Sequence, residues 1–477
     1  MAMEHNGDHH QPLHIAVFPW LAFGHMMPFL ELSKTLASKG HHISYLTTPT
    51  NISKLSSSSL SPLITFIPLP LPPNPNLPPL AGATSDVSPD QVQYLKLSLD
   101  SLHLPFTTFL HESSPKPDWL LLDFATPWAI PIASSFSIPC AFFSIFTASF
   151  LTFIGPPSEL TDDKGSRTSL ENFTLKPNWI PFPSNLSYSL HGAKTLMAIY
   201  ENNVSGIPDI SRYRKTLEGC KAFGIRTCME VEGEFVNLLR DLHQKPVFPL
   251  GLLAPRAAVG KMMINEEIFA WLGMQKRRSV VYVAFGSEAT LSLELLHELA
   301  LGLELSGLPF LWVLRKGLGL GDGVVDDDQV LPLGFEERVS GRGMVVRGWV
   351  DQVRVLGHEG VGGFLSHSGW SSIVEALGFG HPLMLLPIYV DQEANARLVV
   401  ERGFGVEVKR REEDGYFGKE EVVRVLRLVM VEKEGDGVRV RVRAGEMKKV
   451  FGDAVGQDKY VDDFVKFLKG NKGMLAV

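Results

Sequence analysis

Polar side chains follow two short apolar runs that lie close together in the chain. The run VGGFLS (361–366) ends at His367, and the run PLMLLP (382–387) is followed by Asp391 and Gln392. Short apolar runs that alternate with helical patterns are typical of parallel strands with crossover helices. Ligands of such sheets bind beyond the carboxyl ends of the strands. We therefore expect these polar side chains to collect at one edge of a sheet.

The chemistry available at this edge suits an anionic ligand that carries a sugar. A helical pattern opens with SGWSS (368–372), and the unpaired N–H groups and dipole of a helix N-terminus favour phosphate. Ser371 and Ser372 either cap this helix or donate hydroxyls to the phosphate. Glu375 lies one turn further on, where its carboxylate can accept from a pair of ribose hydroxyls.

Two further features extend this candidate nucleotide-sugar site. Trp349 follows the apolar run MVV (344–346) and offers a face on which a flat base can stack. Asp391 and Gln392 supply the acceptor and the donor that sugar hydroxyls require. Each residue alone is better explained as part of an ordinary βα unit, whereas the whole set favours a ligand site.

A second candidate site lies in the first βαβ unit. The runs LHIAVFPW (13–20) and HHISYLTT (41–48) predict strands, and a helix is predicted from about Met26 to Lys39. His25 stands beside the N-terminus of that helix, where the dipole favours the neutral imidazole that a general base needs. A histidine that merely caps the helix is the alternative interpretation.

Asp123 ends another buried run, DWLLLDF (118–124). In a parallel sheet this carboxylate shares the carboxyl edge with His25, where it can hold the imidazole tautomer and stabilise the imidazolium that forms. It is also consistent with a strand-end residue that caps a neighbouring turn. The turn before His25 contains a single glycine, Gly24, and no G-x-G-x-x-G, which argues against a nicotinamide-dependent oxidoreductase.

The stretch from Trp349 to Gln392 resembles the signature of the plant family 1 UDP-glycosyltransferases, which runs over 44 residues from a Trp to a Gln, as here. The family usually has Pro, Cys and Asn where this chain has Asp351, Ser368 and Ser371. The last departure matters most, because that Asn normally contacts the nucleotide sugar and Ser is shorter. The matching positions are Trp349, Gln352, Leu356, His358, His367, Gly369, Trp370, Ser372, Glu375, Gly380, Pro382, Pro387, Asp391 and Gln392.

The resemblance implies an α/β protein of the GT-B class, with two Rossmann-like domains that face each other across a cleft. We expect an acceptor-binding domain at 1–248, a UDP-sugar-binding domain at 249–455 and a C-terminal helix at 456–477 that crosses back to the first domain. The family's catalytic dyad falls on His25 and Asp123. The expected UDP-sugar-binding residues are Ser287, Trp349, Val350, Gln352, His367, Gly369, Trp370, Ser371, Ser372, Glu375, Asp391 and Gln392.

The resemblance also implies an inverting transfer of glucose or rhamnose from UDP to a hydroxyl of a plant small molecule, without a metal or other cofactor. The HSGWSS variant, the opening stretch 18–41 and the late stretch 414–430 look like the subgroup that extends sugars on flavonoid or terpenoid glycosides. UDP-glucose is the first choice of donor. One alternative is a UDP-rhamnose-dependent rhamnosyltransferase. The other is a catalytically silent nucleotide-sugar-binding scaffold, which the departure at Ser371 leaves open.

Composition excludes several other classes of protein. Among 477 residues, 45 Lys and Arg stand against 52 Asp and Glu, a net charge of −7 that argues against nucleic acid as a partner. Three cysteines are too few for a disulfide framework or a metal cluster and fit a reducing cytosol. No apolar run reaches the ~18 residues of a membrane span, and the polar N-terminus is not a secretory signal. We expect a cytoplasmic monomer that binds a small-molecule acceptor and a UDP-sugar.

Several less regular stretches complete the pattern. The Ser-, Asn- and Pro-rich segment 162–211 is expected to cover a pocket mouth, and 245–263 is the predicted linker. The acidic cluster Asp326-Asp327-Asp328 is expected to be a solvated loop rather than a metal site. VRVRVRAGEMKKVF (438–451) alternates like a strand, but the family has a helix there, and we expect the helix. An aromatic-rich segment packs in the core or lines an acceptor pocket, and its members are Phe142, Phe143, Phe146, Phe150 and Phe153.

Overall fold

The computed structural model describes residues 11–56, 60–161, 165–255, 266–286, 291–314 and 330–474. The chain forms two compact units. The first consists of Met1–Ser166, Ile199–Leu253 and Val455–Val477, and the second of Arg167–Ala198 and Ala254–Ala454. Ser287 and the acidic cluster Asp326–Asp328 lie outside the described residues.

The described part of the first unit holds a parallel sheet with the strand order β3-β2-β1-β4-β5-β6-β7. Its central strands are buried apolar runs, as a sheet covered on both faces requires. Its strands are β1 (His14–Phe18), β2 (His42–Thr47), β3 (Ile64–Pro68), β4 (Trp119–Leu122), β5 (Cys140–Ser144), β6 (Phe223–Ile225) and β7 (Val247–Pro249).

The helices of the first unit connect these strands and cover the sheet. They are α1 (Phe23–Ser38), α2 (Pro49–Leu55), α3 (Val92–Asp100), α4 (His103–Glu112), α5 (Ala129–Ser135), α6 (Ala148–Ile154), α8 (Asp209–Gly219), α9 (Met229–His243) and α19 (Tyr460–Gly470). Helix α1 begins three residues before the predicted Met26, so His25 lies inside its first turn.

The described part of the second unit has its own parallel sheet, with the strand order β10-β9-β8-β11-β12-β13. The predicted strand at 361–366 is confirmed at its exact bounds, whereas the run 382–387 is a strand over three residues. Its strands are β8 (Val280–Ala284), β9 (Phe310–Leu314), β10 (Gly343–Arg347), β11 (Val361–Ser366), β12 (Leu383–Leu385) and β13 (Gly405–Glu407).

Helix α11 of the second unit begins and ends at residues suited to those positions. Ser292 precedes α11, and its hydroxyl accepts a hydrogen bond from the Leu295 N–H at 3.3 Å, while Gly307 ends the helix with φ of 71°. The helices are α7 (Leu190–Met197), α10 (Glu266–Gly273), α11 (Leu293–Ser306), α12 (Phe335–Arg338), α13 (Gln352–Leu356), α14 (Trp370–Gly378), α15 (Gln392–Glu401), α16 (Lys419–Met430) and α17 (Asp436–Phe451), and α18 (Ala454–Asp458) leads from the second unit to the first.

Two stretches differ from their sequence-based expectations. Residues 167–198, which the prediction assigns to the domain 1–248, pack with the second unit through hydrogen bonds to α15 and to the segment after β13. The predicted linker 245–263 contains a strand, because Val247–Pro249 pairs in parallel with β6. The predicted boundaries near 248 and 455 remain predictions.

The stretch 438–451 is helical, as predicted. Val440, Ala444, Met447 and Phe451 are buried at the spacing of one helical face. Val442, which the alternation would place beside Val440, is 55% exposed. The alternation of Val and Arg therefore runs around a helix rather than across a sheet.

The first unit also contains a buried histidine, His41, whose pKa is lowered. Burial, followed by the charges of Lys469 and Lys39, lowers the pKa of His41 from 6.5 to about 4. Its Nδ1 accepts a hydrogen bond from the Leu13 N–H at 3.0 Å, which requires the uncharged ring. Above pH 6.5 the ring is neutral in both states, and between 6.5 and 4 the unfolded chain binds a proton that the folded chain resists.

We therefore expect His41→Asn to make the protein less sensitive to acid. Asparagine offers an amide oxygen near the position of Nδ1 but does not titrate. The melting temperature of the variant should fall less than that of the parent between pH 7 and pH 4.5, measured by differential scanning fluorimetry. Parallel curves for the two proteins would show that His41 does not contribute to acid sensitivity.

In the described part of the chain, every helix is too short or too polar to span a bilayer.

Candidate functional site

His25 and Asp123 meet at the carboxyl edge of the first sheet. Strands β1 and β4 are adjacent and in register, with Phe18 beside Leu122, so the residues that follow them emerge together. The distance between His25 Nδ1 and Asp123 Oδ2 is 2.7 Å. The sequence-based expectation that a parallel sheet brings these two side chains together is confirmed.

The Asp123 carboxylate is held rigidly. It is 1% exposed, and Oδ2 also accepts a hydrogen bond from the Trp20 N–H at 3.0 Å. Oδ1 accepts from the Phe124 N–H at 2.7 Å. Both carboxylate oxygens accept from backbone N–H groups, so Asp123 is also an acceptor toward His25, and the ring carries its proton on Nδ1. The lone pair then lies on Nε2, the nitrogen that a general base uses.

Helix α1 and an aromatic surface orient the His25 ring. The carbonyl of Met26, the next residue, accepts a 2.7 Å hydrogen bond from the Tyr45 hydroxyl of β2. The rings of Phe124 and Phe146 lie 5.8 Å and 5.5 Å from the His25 ring, centroid to centroid. Phe146 is partly exposed, whereas the other four phenylalanines of the predicted aromatic segment are buried. Phe146 is thus the member of that segment whose ring is accessible beside His25.

The second candidate site is centred on the turn between β11 and α14. Ser368 has a left-handed backbone, with φ of 65°, and Gly369 precedes the first helical residue without a side-chain cap. Ser371 and Ser372 lie inside the first turn of α14, so the structure excludes the alternative in which these serines cap the helix.

The ring of His367 is enclosed by two glycines. A Cβ built on Gly286 would lie 2.7 Å from His367 Nε2, and one built on Gly369 would lie 2.4 Å from the same atom. Burial lowers the pKa of His367 to about 4, so the ring is uncharged at neutral pH. Among the described residues, neither His367 Nδ1 nor Ser368 Oγ has a hydrogen-bond partner. Buried polar atoms of this kind fit a ligand with many acceptor oxygens.

Gln352 links α13 to α14. Its Nε2 donates to Glu375 Oε2 at 2.8 Å and to Ser372 Oγ at 3.3 Å. Asp351, where the family usually has Pro, begins α13 by accepting from the Arg354 N–H at 3.2 Å. Asp351 therefore replaces the usual Pro of the family by another residue that is favoured at a helix N-terminus.

Trp349 and Val350 follow β10 beside this network. Trp349 is 59% exposed, which leaves a face of the indole accessible to a flat base, and Val350 is partly exposed. Ser371 is also partly exposed, on the first turn of α14.

Asp391 and Gln392 begin α15. The amide oxygen of Gln392 accepts from the Ile388 and Tyr389 N–H groups at 2.8 Å and 2.9 Å. This oxygen therefore holds the loop after β12, and the amide nitrogen is the remaining polar atom of the Gln392 side chain.

Asn395 is a residue that the sequence-based analysis missed. It is completely buried, and its Nδ2 donates to Asp391 Oδ2 at 2.8 Å and to the Ser368 carbonyl at 3.1 Å. One amide thus ties the loop after β12 to the left-handed turn after β11. The position lies one turn beyond Asp391 on α15, and this i, i+4 spacing is the signal that could have identified it.

In the described ranges, no group of three or more His, Cys, Asp or Glu side chains is arranged to hold a metal ion.

Comparison with known proteins gives relatives over nearly the whole chain. Residues 252–434 match the model of a family described as UDP-glucoronosyl and UDP-glucosyl transferase. UDP-glycosyltransferase 91A1 of Arabidopsis thaliana is 43% identical over 468 residues, which cover 96% of this chain and 97% of that protein. Soyasaponin III rhamnosyltransferase of Glycine max is 37% identical over 467 residues, which cover 96% of each.

Solved structures show the same fold. The crystal structure of Arabidopsis thaliana UGT89C1 complexed with UDP-L-rhamnose is 24% identical, with a TM-score of 0.72 over 96% of this chain and 100% of that one. The chain therefore has the GT-B class of fold, with two Rossmann-like domains that each contain a parallel sheet.

Proposed function

This chain belongs to the family of UDP-glucoronosyl and UDP-glucosyl transferases, enzymes that transfer sugar from a UDP-sugar, and we propose that it moves glucose or rhamnose to a hydroxyl of a plant small molecule with inversion at the anomeric carbon. The observation that carries the proposal is the 2.7 Å hydrogen bond between His25 and the fixed Asp123 carboxylate. A buried carboxylate that is hydrogen-bonded to the far nitrogen of a histidine is the arrangement of a general base.

His25 would act on the acceptor. Its Nε2 takes the proton of the acceptor hydroxyl while the oxygen attacks the anomeric carbon of the donor sugar. The bond from that carbon to the UDP oxygen breaks as the new glycosidic bond forms, and UDP leaves with the electron pair. Asp123 stabilises the imidazolium that results. A single displacement of this kind inverts the anomeric configuration.

The second unit would bind the UDP-sugar. The N–H groups at the start of α14 and the hydroxyl of Ser368 are donors for the diphosphate, and the neutral ring of His367 adds a hydrogen bond rather than a full charge. Trp349 would stack on the uracil and Glu375 would accept from the ribose hydroxyls. Asp391 and the amide nitrogen of Gln392 would recognise the sugar.

Transfer is expected to continue in the presence of excess EDTA. The diphosphate charge is met by helix N–H groups and side-chain donors, so a divalent ion has no required role. The measurement is the initial rate with EDTA and with added Mg²⁺ or Mn²⁺. Complete loss in EDTA that either ion restores would contradict the proposal.

The acceptor is proposed to be a flavonoid or terpenoid that already carries a sugar. Relatives at 37% and 34% identity are named soyasaponin III rhamnosyltransferase and anthocyanidin-3-O-glucoside rhamnosyltransferase. UDP-glucose is the proposed donor, with UDP-rhamnose as the alternative that these relatives support. A cytoplasmic, monomeric enzyme is part of the same proposal.

A donor and acceptor panel tests this function. UDP-glucose and UDP-rhamnose are supplied together with quercetin or its 3-O-glucoside at equal concentration, and products are read by mass spectrometry. We expect preferential extension of the glucoside from UDP-glucose. Preference for quercetin would overturn the acceptor proposal, and preference for UDP-rhamnose would overturn the donor proposal. Binding of UDP without turnover of any acceptor would indicate a silent nucleotide-sugar-binding scaffold.

A further inference from the structure

The segment 184–195 contacts the part of the second unit that carries Asp391 and Gln392. These residues lie in the Ser- and Asn-rich stretch before and within α7, outside the matched stretch Trp349–Gln392. They are about 200 residues from their partners in sequence, as the hydrogen-bond separations show. The tertiary fold therefore brings the segment into contact with the part of the candidate site that is proposed to hold the donor sugar.

Tyr188 makes the contact nearest to the sugar-recognising residues. Its hydroxyl donates a 2.7 Å hydrogen bond to the carbonyl of Val390, which directly precedes Asp391. The Tyr188 residue is 3% exposed, so it does not offer a surface to a ligand. Its hydroxyl also interacts with the backbone of Ala394, so its effect on the site is transmitted through the backbone on both sides of Asp391 and Gln392.

Glu393 is a second contact, directly after Gln392. One oxygen accepts from the Ser189 N–H at 2.6 Å and the other from the Ser189 hydroxyl at 3.2 Å. Gly192 packs so closely on this carboxylate that an added Cβ would lie 1.7 Å from Glu393 Oε2. The first turn of α7 is therefore fitted to the first turn of α15.

Further contacts keep the segment in this position. The Glu401 carboxylate accepts from the Ser184 hydroxyl at 2.9 Å and from the Asn185 N–H at 2.8 Å. The His191 N–H donates to the Glu412 carbonyl at 2.8 Å. The segment is thus bound at both ends of α15 and beside it.

These contacts stabilise the loop after β12, which the Gln392 side chain also binds. The Gln392 amide oxygen binds the N–H groups of Ile388 and Tyr389, and Tyr188 binds the carbonyl of the next residue, Val390. Asp391 and the Gln392 amide nitrogen therefore approach a ligand from a backbone that Tyr188 helps to fix. Recognition of sugar hydroxyls depends on such positions to within a fraction of an ångström.

We propose that Tyr188 is a positioning residue for the donor sugar, which acts through the Val390 carbonyl on the placement of Asp391 and Gln392. The inference rests on the proposed function, because it assigns the sugar of the UDP-sugar to these two residues. It makes a specific distinction between ligands. A change at Tyr188 should leave the binding of UDP, which lacks the sugar, unaffected. The same change should weaken the binding of UDP-glucose and UDP-rhamnose.

Tyr188→Phe removes the hydroxyl and keeps the ring. We expect the Kd of UDP-glucose, measured by calorimetry, to rise by about three- to tenfold, the usual effect of one lost hydrogen bond, while the Kd of UDP stays unchanged. The KM of the UDP-sugar should rise in parallel, with a smaller change in kcat and none in the acceptor KM. The ratio of kcat/KM between UDP-glucose and UDP-rhamnose should also shift.

Tyr213→Phe is the matched control. Tyr213 is 5% exposed in the first unit, and its hydroxyl has no hydrogen-bond partner among the described residues. This variant should bind UDP and UDP-glucose as the parent does. Gly192→Ala provides a second test of the same contact, because the added methyl group displaces α7 from Glu393, and it should change UDP-glucose binding in the same direction.

The outcomes separate the inference from the function on which it rests. Equal weakening of UDP and UDP-glucose in Tyr188→Phe would make Tyr188 a general structural residue and overturn the inference. Unchanged binding of both ligands would also overturn it. Absence of transfer from any UDP-sugar by the parent protein would overturn the proposed function, while the comparison of the two binding constants would still test the inference.

Discussion

Replacing His25 by alanine is expected to lower kcat by about 10²- to 10⁴-fold, the contribution that a general base usually makes. The reason is that a sugar or phenolic hydroxyl is a poor nucleophile until its proton is removed. The Kd of UDP should stay unchanged, because His25 belongs to the first unit and the proposed nucleotide site to the second. Steady-state kinetics and calorimetry on the same preparation measure the two effects.

Two variants show whether the loss is chemical. His25→Asn keeps a donor for the Asp123 carboxylate but has no basic nitrogen, so it should be as inactive as the alanine variant. Asp123→Asn should lower kcat less than His25→Ala does, because it disturbs the orientation of the His25 ring and leaves the base in place. Turnover of His25→Ala at the parent's rate would remove His25 from the mechanism. Recovery of activity in His25→Asn would make the residue a structural one.

Asn395→Asp is expected to weaken UDP-sugar binding by about 10- to 100-fold at pH 8, since it replaces two buried hydrogen bonds by unpaired groups. The new carboxylate would face Asp391 Oδ2 and the Ser368 carbonyl at the 2.8 Å and 3.1 Å now spanned by hydrogen bonds. Two carboxylates this close cannot both ionise easily, so one pKa rises. Lowering the pH toward 6 should protonate one of them and restore part of the affinity.

A buried asparagine in the first unit provides the control for this variant. Asn51 is completely buried, and its Nδ2 donates to the Gly82 carbonyl at 2.7 Å and to Thr47 Oγ1 at 3.3 Å. Asn51→Asp should lower the melting temperature without changing UDP-sugar affinity. Equal loss of affinity in both variants would show that instability, rather than the Asp391–Ser368 link, is the cause. Unchanged affinity in Asn395→Asp would contradict the role of that link.

The elements that carry both candidate sites could be predicted from the sequence because they depend on local patterns. Apolar runs followed by polar residues identified β4 and β11, and parallel topology then placed Asp123 beside His25. The rule works here because the two strands are adjacent and in register. Composition or periodicity alone would not have shown that adjacency.

The residues that the prediction missed act through contacts distant in sequence or through one atom of a side chain. Tyr188 and Val390 are 202 residues apart, and the weak periodicity around Tyr188 gave no reason to dock it on α15. Gln392 was singled out from the sequence, but a sequence cannot show that its side-chain oxygen binds N–H groups of its own loop. Strand β7 was missed because it has three residues and lies in a proline-rich stretch.

Helix α19 has a consequence for the order in which this chain can fold during synthesis. Its residues Val461, Phe464 and Leu468 lie in the core of the first unit, and the Leu468 carbonyl accepts from the Trp119 indole at 2.9 Å. The ribosome makes α19 only after the whole second unit. The N-terminal unit therefore emerges first but completes its core last, and until then a nascent chain exposes the apolar surface that chaperones bind.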